Sequence, residues 1–323
     1  MNLWTVSDVP SQRGRTAVVT GTGGLGFQAA LVLARAGAKV IIAGRNPTKG
    51  LQAVELINST VHNADIAFET MDLADLNSVS AFAEHLRRTH HRLDLLINNA
   101  AVMNPPKRLT TADGFELQLG TNYLGHFALT ARLLPLLLEG NEPRVVTLSS
   151  IAARAGAVNF DDLHSQREYY PMRAYAQSKL ACLMFAFELQ RRSEAAGWGI
   201  RSIAAHPGIS RTELLPNGSG KWSSAGLARR LLWFLFQPAA QGALPTLFAA
   251  TSAQAQGGGY YGPAKFGETR GSLARAKLPA QALDRTAALK LWLISETLTG
   301  VTFSSGERER VVRIGGRASL GGR

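Results

Sequence analysis

The sequence predicts a single doubly wound α/β domain, a parallel sheet flanked by helices on both faces. Three observations carry that expectation. Apolar, β-rich runs alternate with amphipathic helical runs from about residue 16 to 205, the strand-like runs show little polar alternation, and a glycine-rich turn follows the first of them. Strands buried on both faces have this character, and right-handed crossovers then set the general topology.

Taken in order, the strands are expected at 16–20, 39–43, 66–70, 93–97, 144–149 and 200–205. Helices are expected between them at 25–37, 47–58, 76–90, 111–138 and 173–196. Past residue 205 the pattern loosens into HPGISRTELLPNGSGKWSS, and residues 209–237 read as a mobile flap over a pocket. A strand at 258–262 and a helix at 282–299 would complete a domain spanning 13–305, with residues 1–12 as an N-terminal arm. The ending GERERVVRIGGRASLGGR, residues 306–323, is rich in Gly and Arg and is expected to be disordered. No internal repeat is present.

Composition excludes several classes. With 323 residues and 46% hydrophobic content the chain can bury a large core. Its most apolar run, LLWFLF at 231–236, falls far short of the roughly 18–20 residues a spanning helix needs. The start, MNLWTVSDVP, lacks the basic and apolar parts of a secretion signal, so the expected location is the cytoplasm. Cys182 is the only cysteine, which rules out an internal disulfide and a cysteine-clustered metal site. The net charge of +12 is scattered rather than clustered, so the surface reads as solvated and attractive to an anionic cofactor, not as a nucleic-acid footprint.

The turn TGTGGLGF, beginning at Thr20, admits two readings. Gly21, Gly23 and Gly26 spell the general dinucleotide fingerprint G-x-G-x-x-G, whereas Thr20 suggests a different loop one residue longer. Either way, glycines allow a tight turn and close approach of a pyrophosphate to main-chain N–H groups at a helix N-terminus. At the end of the second strand stand Gly44 and Arg45, where an acidic residue would hold ribose hydroxyls and repel a 2′-phosphate. Arginine pairs with that phosphate, so NADP(H) is favoured over NAD(H).

The chemistry lies downstream. In AYAQSKLACLMF, Tyr175 and Lys179 share one helix face. An ordinary phenol, with a pKa near 10, is a poor catalyst at neutral pH, and a neighbouring ammonium favours its phenolate. RVVTLSSIAA puts Ser149 and Ser150 at the carboxyl edge of the sheet, where doubly wound folds bind ligands. LINNAAV and LGTNYLGHF complete an ordered set of motifs. With that set, residues 13–300 resemble the short-chain dehydrogenase/reductase family, a Rossmann-like fold, nearest to its retinol-dehydrogenase-like subgroup.

The resemblance implies roles for matching positions. Tyr175 would exchange the proton at the substrate oxygen, Ser150 would hydrogen-bond and orient that oxygen, Lys179 would hold the nicotinamide ribose, and Asn122 would position a water in the proton relay. The loop residues Gly21, Thr22, Gly23, Gly24, Leu25 and Gly26 would cradle the cofactor. Asp72 and Leu73 would lie at its adenine end, Asn99 and Ala100 beside it, Pro207 and Gly208 at the nicotinamide, and Thr212 near the carboxamide. No metal is required. The resemblance also answers the loop question: Thr20, Gly21, Gly24 and Gly26 match the family's T-G-x-x-x-G-x-G after loss of one residue. Ala101 departs from it too, standing for the last glycine of N-N-A-G. His126 and His206 read as structural.

The expected activity is NADP(H)-dependent interconversion of a carbonyl and an alcohol. Tyr169, Tyr170 and Met172, with Leu214, Leu215 and Trp222 of the flap, suggest an apolar, fairly large substrate. Two alternatives stay open: a non-catalytic NADP(H)-binding regulator, and a peripheral membrane enzyme acting on lipid or retinoid, with Arg229-Arg230 beside LLWFLF as its dock. Apolar residues on helices 111–138 and 173–196, beyond those one core stripe needs, suggest that these helices pair in a homodimer or homotetramer, as in the resembling family.

Overall fold

The computed structural model describes residues 4–210 and 237–304. Strand β1 (Thr16–Thr20) is buried from Ala17 to Thr20, as a β-branched run covered on both faces must be. It pairs in parallel with β2 (Lys39–Gly44) on one side and β4 (Leu95–Asn98) on the other. The remaining parallel strands are β3 (Ile66–Thr70), β5 (Arg144–Leu148), β6 (Arg201–Ala205) and β7 (Tyr260–Lys265), and β8 (Arg270–Arg275) closes the edge antiparallel to β7. The order is β3-β2-β1-β4-β5-β6-β7-β8. The winding reverses between β1 and β4, which opens a crevice at their carboxyl ends.

Two apolar layers enclose the sheet. Along β1, Val18 faces one and Ala17 and Val19 the other. The second layer holds α1 (Gly24–Arg35), α2 (Pro47–Thr60) and the pair that follows residue 237, α7 (Ala239–Gly242) and α8 (Leu244–Thr251). The first holds α3 (Leu76–Thr89), α4 (Leu117–Leu119), α5 (Gly125–Leu138), α6 (Pro171–Ala196) and α9 (Arg285–Thr299). The N-terminal arm is anchored: Trp4 meets Phe248 edge-on with ring centroids 5.4 Å apart.

Three local differences from the sequence-based expectation have physical causes. The helix expected from residue 111 starts at Leu117, because Gly114 turns with φ +84° and the buried Glu116 carboxylate caps the N–H groups of Gln118 and Leu119. A π-helical turn, Gly120–Leu124, then separates α4 from α5 and sets Asn122 in its middle. Strand β8 was not foreseen, since RGSLAR carries no apolar run, and its place depends on pairing with β7.

The apolar surplus on α5 and α6 is used inside the chain. Trp292 of α9, 1% exposed, packs against Phe127 and Phe185 at 5.0 and 5.8 Å between centroids, and Phe303 adds to the same cluster. The surplus therefore carries no argument for a second subunit. Among the described residues no helix is long and apolar enough to cross a membrane.

Candidate active site

The carboxyl ends of five adjacent strands build one cleft. Arg45 follows β2, Gly21–Leu25 follow β1, Asn99–Met103 follow β4, Leu148 and Ser149 end β5, and Pro207 follows β6; all line a cavity of about 430 Å³. Four inter-strand intervals of about 4.8 Å make it roughly 19 Å long, enough for an extended dinucleotide. Helix α6 delivers Tyr175 and Lys179 to the same cavity, both buried.

The glycine loop shows which glycines are needed. Gly21 adopts φ +95° and Gly24 φ +54°, a region that favours glycine. A Cβ on Gly26 would stand 2.5 Å from the Gly21 carbonyl oxygen and 2.6 Å from Asn99 Nδ2. Gly23 is extended, caps α1 and would meet nothing within 4 Å. The required set is thus Gly21, Gly24 and Gly26, the family's loop shortened by one residue, and G-x-G-x-x-G is coincidental.

Thr20 is the hub of this end. Its Oγ1 accepts from the N–H groups of Asn99 and Ala100, both at 2.9 Å, and lies 2.9 Å from His126 Nε2. Asn99 Nδ2 returns a bond to the Thr20 carbonyl at 2.7 Å. His126 Nδ1 meets the Asn122 carbonyl at 2.9 Å, so the proton sits on Nδ1 and Nε2 accepts from the threonine hydroxyl. Burial pushes the His126 imidazole down to about 4, which keeps it neutral. Both rings, His126 and His206, serve the structure and do not reach the cleft.

Of the two serines, Ser149 lines the cleft, whereas Ser150, the one expected to hold the substrate oxygen, is the next residue and is not part of the lining. Ser149 Oγ donates to the Lys179 carbonyl at 2.8 Å and is committed to holding α6. Ser150 Oγ accepts from Ala152 N–H at 3.2 Å, which leaves its proton to be donated elsewhere. Lys179 Nζ donates to the Leu148 carbonyl at 3.0 Å and keeps two further N–H donors. The Asn122 amide accepts from Val102 N–H at 2.8 Å and donates to the Val102 carbonyl and Ser178 Oγ at 3.0 and 2.9 Å. It therefore clamps one wall of the cleft to α6 and does not itself line the cleft.

Other expected positions fall out as follows. Asp72 Oδ1 caps its own turn at Ala74 N–H, 2.9 Å away, Leu73 is buried in the core, and neither lines the cleft. Gly208 turns with φ +64° beside Pro207. Thr212 lies outside the described residues, as do Leu214, Leu215, Trp222, the Arg229-Arg230 and LLWFLF segment and most of the flap. Tyr170 and Met172 are about half exposed, and Tyr169 bonds to Gln118; none of the three lines the cleft. Its apolar wall comes instead from Val102, Met103, Pro105, Leu109 and Leu117. Sequence reasoning missed that wall, and it missed Lys49, a second cation lining the cleft with Arg45, whose signal was its place in the first turn after Asn46-Pro47.

The doubly wound fold, with its cleft at the carboxyl ends of the strands, defines the class as an α/β protein of the dinucleotide-binding type. Residues 15–220 match the short chain dehydrogenase family. Polyprenol dehydrogenase of Mus musculus is 39% identical over 297 residues, covering 90% of this chain and 86% of the relative. Retinol dehydrogenase 13 of Homo sapiens is 38% identical over 295 residues, covering 89% and 85%. The crystal structure of an uncharacterized protein from Mycobacterium paratuberculosis superposes with TM-score 0.78 at 39% identity over 94% of this chain and all of that one. A short chain dehydrogenase from Shigella flexneri, solved with NADP, shares the fold at TM-score 0.61 and 23% identity over 78% of this chain and 98% of that one. The chain belongs to the short chain dehydrogenase/reductase family, in its retinol-dehydrogenase-like subgroup, and is an oxidoreductase acting on CH–OH groups.

Proposed function

We propose that the protein interconverts a carbonyl and an alcohol on a fairly large apolar substrate with NADP(H) as its coenzyme. The observation that carries this reading is one cleft bearing Arg45 and Lys49, Tyr175 and Lys179, and an apolar wall from Val102 to Leu117. The residues fit the coenzyme. The space beside Gly21 and Gly26 is too narrow for a side chain and brings main-chain N–H groups to the helix N-terminus, where a pyrophosphate is stabilised. Arg45 pairs with a 2′-phosphate, and Gly44 carries no carboxylate that would repel it. Pro207, which lines the cleft, is assigned with Gly208 and Thr212 to the nicotinamide side, and Asp72 and Leu73, which do not line it, to the adenine side.

When bound, the coenzyme supplies the hydride. The chain supplies everything else at the oxygen. Ser150 donates a hydrogen bond to it, and Tyr175 gives or takes its proton as negative charge grows or fades. Lys179, with two donors left, holds the ribose. Asn122 acts by clamping Val102 to α6, so that wall and catalytic helix keep a fixed separation.

Two names among the relatives, polyprenol and retinol dehydrogenase, support a long isoprenoid alcohol as the substrate class. The test is a panel of ketones, aldehydes and primary and secondary alcohols, isoprenoids included, read by nicotinamide absorbance with NADPH and NADH. Turnover confined to small polar substrates, or to NADH, would refute the reading.

A further inference from the structure

We propose that Glu268, at the tip of the hairpin between β7 and β8, is a positioning residue for the nicotinamide end of the cleft, acting through His206 and Arg154. The inference rests on the proposed function, since it takes this cleft as a dinucleotide site. It goes beyond that reading by assigning a task to a residue outside the cleft.

The observations converge on one carboxylate, 7% exposed. Glu268 Oε2 accepts from His206 Nε2 at 3.0 Å, so that nitrogen carries the proton. Nδ1 is then a lone pair, and it accepts the Gly208 N–H at 3.2 Å. The tautomer chosen by Glu268 therefore supplies one of the bonds that hold the turn at Pro207 and Gly208. The same carboxylate oxygen pairs with Arg154 Nη2, while Arg154 Nη1 donates to the Gly267 carbonyl at 3.0 Å. Arg154 belongs to the 3-10 turn Ile151–Ala155, whose N-cap is Ser150. The second carboxylate oxygen takes the Lys277 N–H at 2.9 Å.

Three segments thus meet on Glu268: the end of β6 leading to Pro207, the turn carrying Ser150, and the hairpin itself. The hairpin also holds the first of these directly, since Ile209 N–H donates to the Thr269 carbonyl at 2.8 Å. Glu268 sits at φ +69°, a conformation that strains a non-glycine residue. Its side-chain bonds to three segments offset that strain.

Two ligands separate the ends of the cleft. NADPH engages both, whereas 2′,5′-ADP carries the adenosine end and lacks the nicotinamide. In Glu268→Ala the Kd for NADPH, from fluorescence titration, should rise about tenfold while that for 2′,5′-ADP, from calorimetry, stays within about twofold. Glu268→Gln keeps an acceptor for His206 and should recover most of the NADPH affinity. Arg154→Met changes a side chain about one-third exposed and serves if Glu268→Ala does not fold; the same split is expected, at about threefold. Equal losses for both ligands, or no loss for either, would overturn the positioning role while the proposed function stands. A wild-type protein that binds neither ligand would overturn both.

Discussion

A side chain at Gly44 would begin where Thr22 already stands: a Cβ there would lie 2.8 Å from Thr22 Cγ2. The glycine loop and the missing acidic residue are therefore neighbours, because an aspartate at 44 cannot enter without turning the Thr22 side chain away. Beside it, Arg45 and Lys49 line the cleft. A charge-assisted hydrogen bond contributes about 1.5–3 kcal/mol, and about 1.4 kcal/mol is a factor of ten. With only Thr22 left on the loop to assist, the lower part of that range applies, so Arg45→Ala should raise the Kd for NADPH about tenfold and leave NADH nearly unchanged. Gly44→Asp should weaken both coenzymes without creating an NADH enzyme. Tighter wild-type binding of NADH, or equal losses in Arg45→Ala, would show that Arg45 does not read the phosphate.

The two readings of the glycine turn make opposite forecasts for two single substitutions. Gly26→Ala drives a methyl into the Gly21 carbonyl and Asn99 and should abolish measurable NADPH binding or lower the melting temperature by several degrees. Gly23→Ser meets open space at the N-cap of α1, where serine is preferred, and should match or exceed wild-type stability. Thermal melts with and without NADPH decide it. Sensitivity at Gly23 equal to that at Gly26 would restore the G-x-G-x-x-G reading.

Tyr175 lies 8% exposed on the cleft wall, and its hydroxyl is assigned the proton transfer. Tyr175→Phe keeps the ring and removes only the proton. Turnover should fall at least about a hundredfold, the scale of a positioned general acid, with NADPH affinity unchanged. Near-normal turnover in the folded variant would end the assignment.

His126 links pH to stability. Burial holds its folded-state pKa at about 4, below the ordinary histidine value, and the unfolded chain binds the proton first as pH falls. The neutral ring's contribution is complete above about pH 6.5 and is lost as pH falls toward 4, by about 2 kcal/mol at pH 5. His206, also pushed down by burial, acts in the same direction. Urea denaturation at pH 7 and pH 5 should show a steeper loss for the wild type than for His126→Gln. Equal slopes would mean that the Thr20, His126 and Asn122 chain does not stay neutral as described.

The sequence by itself determined the layered architecture and the common helix face of Tyr175 and Lys179. Strand 16–20 ends where expected because an apolar, β-rich run buried on both faces belongs between two helix layers, and that signal is local; the edge strand 66–70, none of it buried, also ends where expected. Tyr175 and Lys179 were legible for the same reason, since a spacing of four residues on a helix already specifies a shared face. What lies between distant segments was decided only by the fold. The π-turn at Asn122, the apolar wall from Val102 to Leu117 and the meeting of Glu268 with His206 and Arg154 depend on contacts between residues far apart in the chain, while the start of α4 at Leu117 and strand β8 come from nearer capping and hairpin contacts that no apolar periodicity announces. The surplus of apolar residues on α5 and α6 makes the same point: the sequence shows that these faces need cover, but only packing reveals that Trp292 and Phe303 supply it, because burial satisfies an apolar face whichever segment provides it.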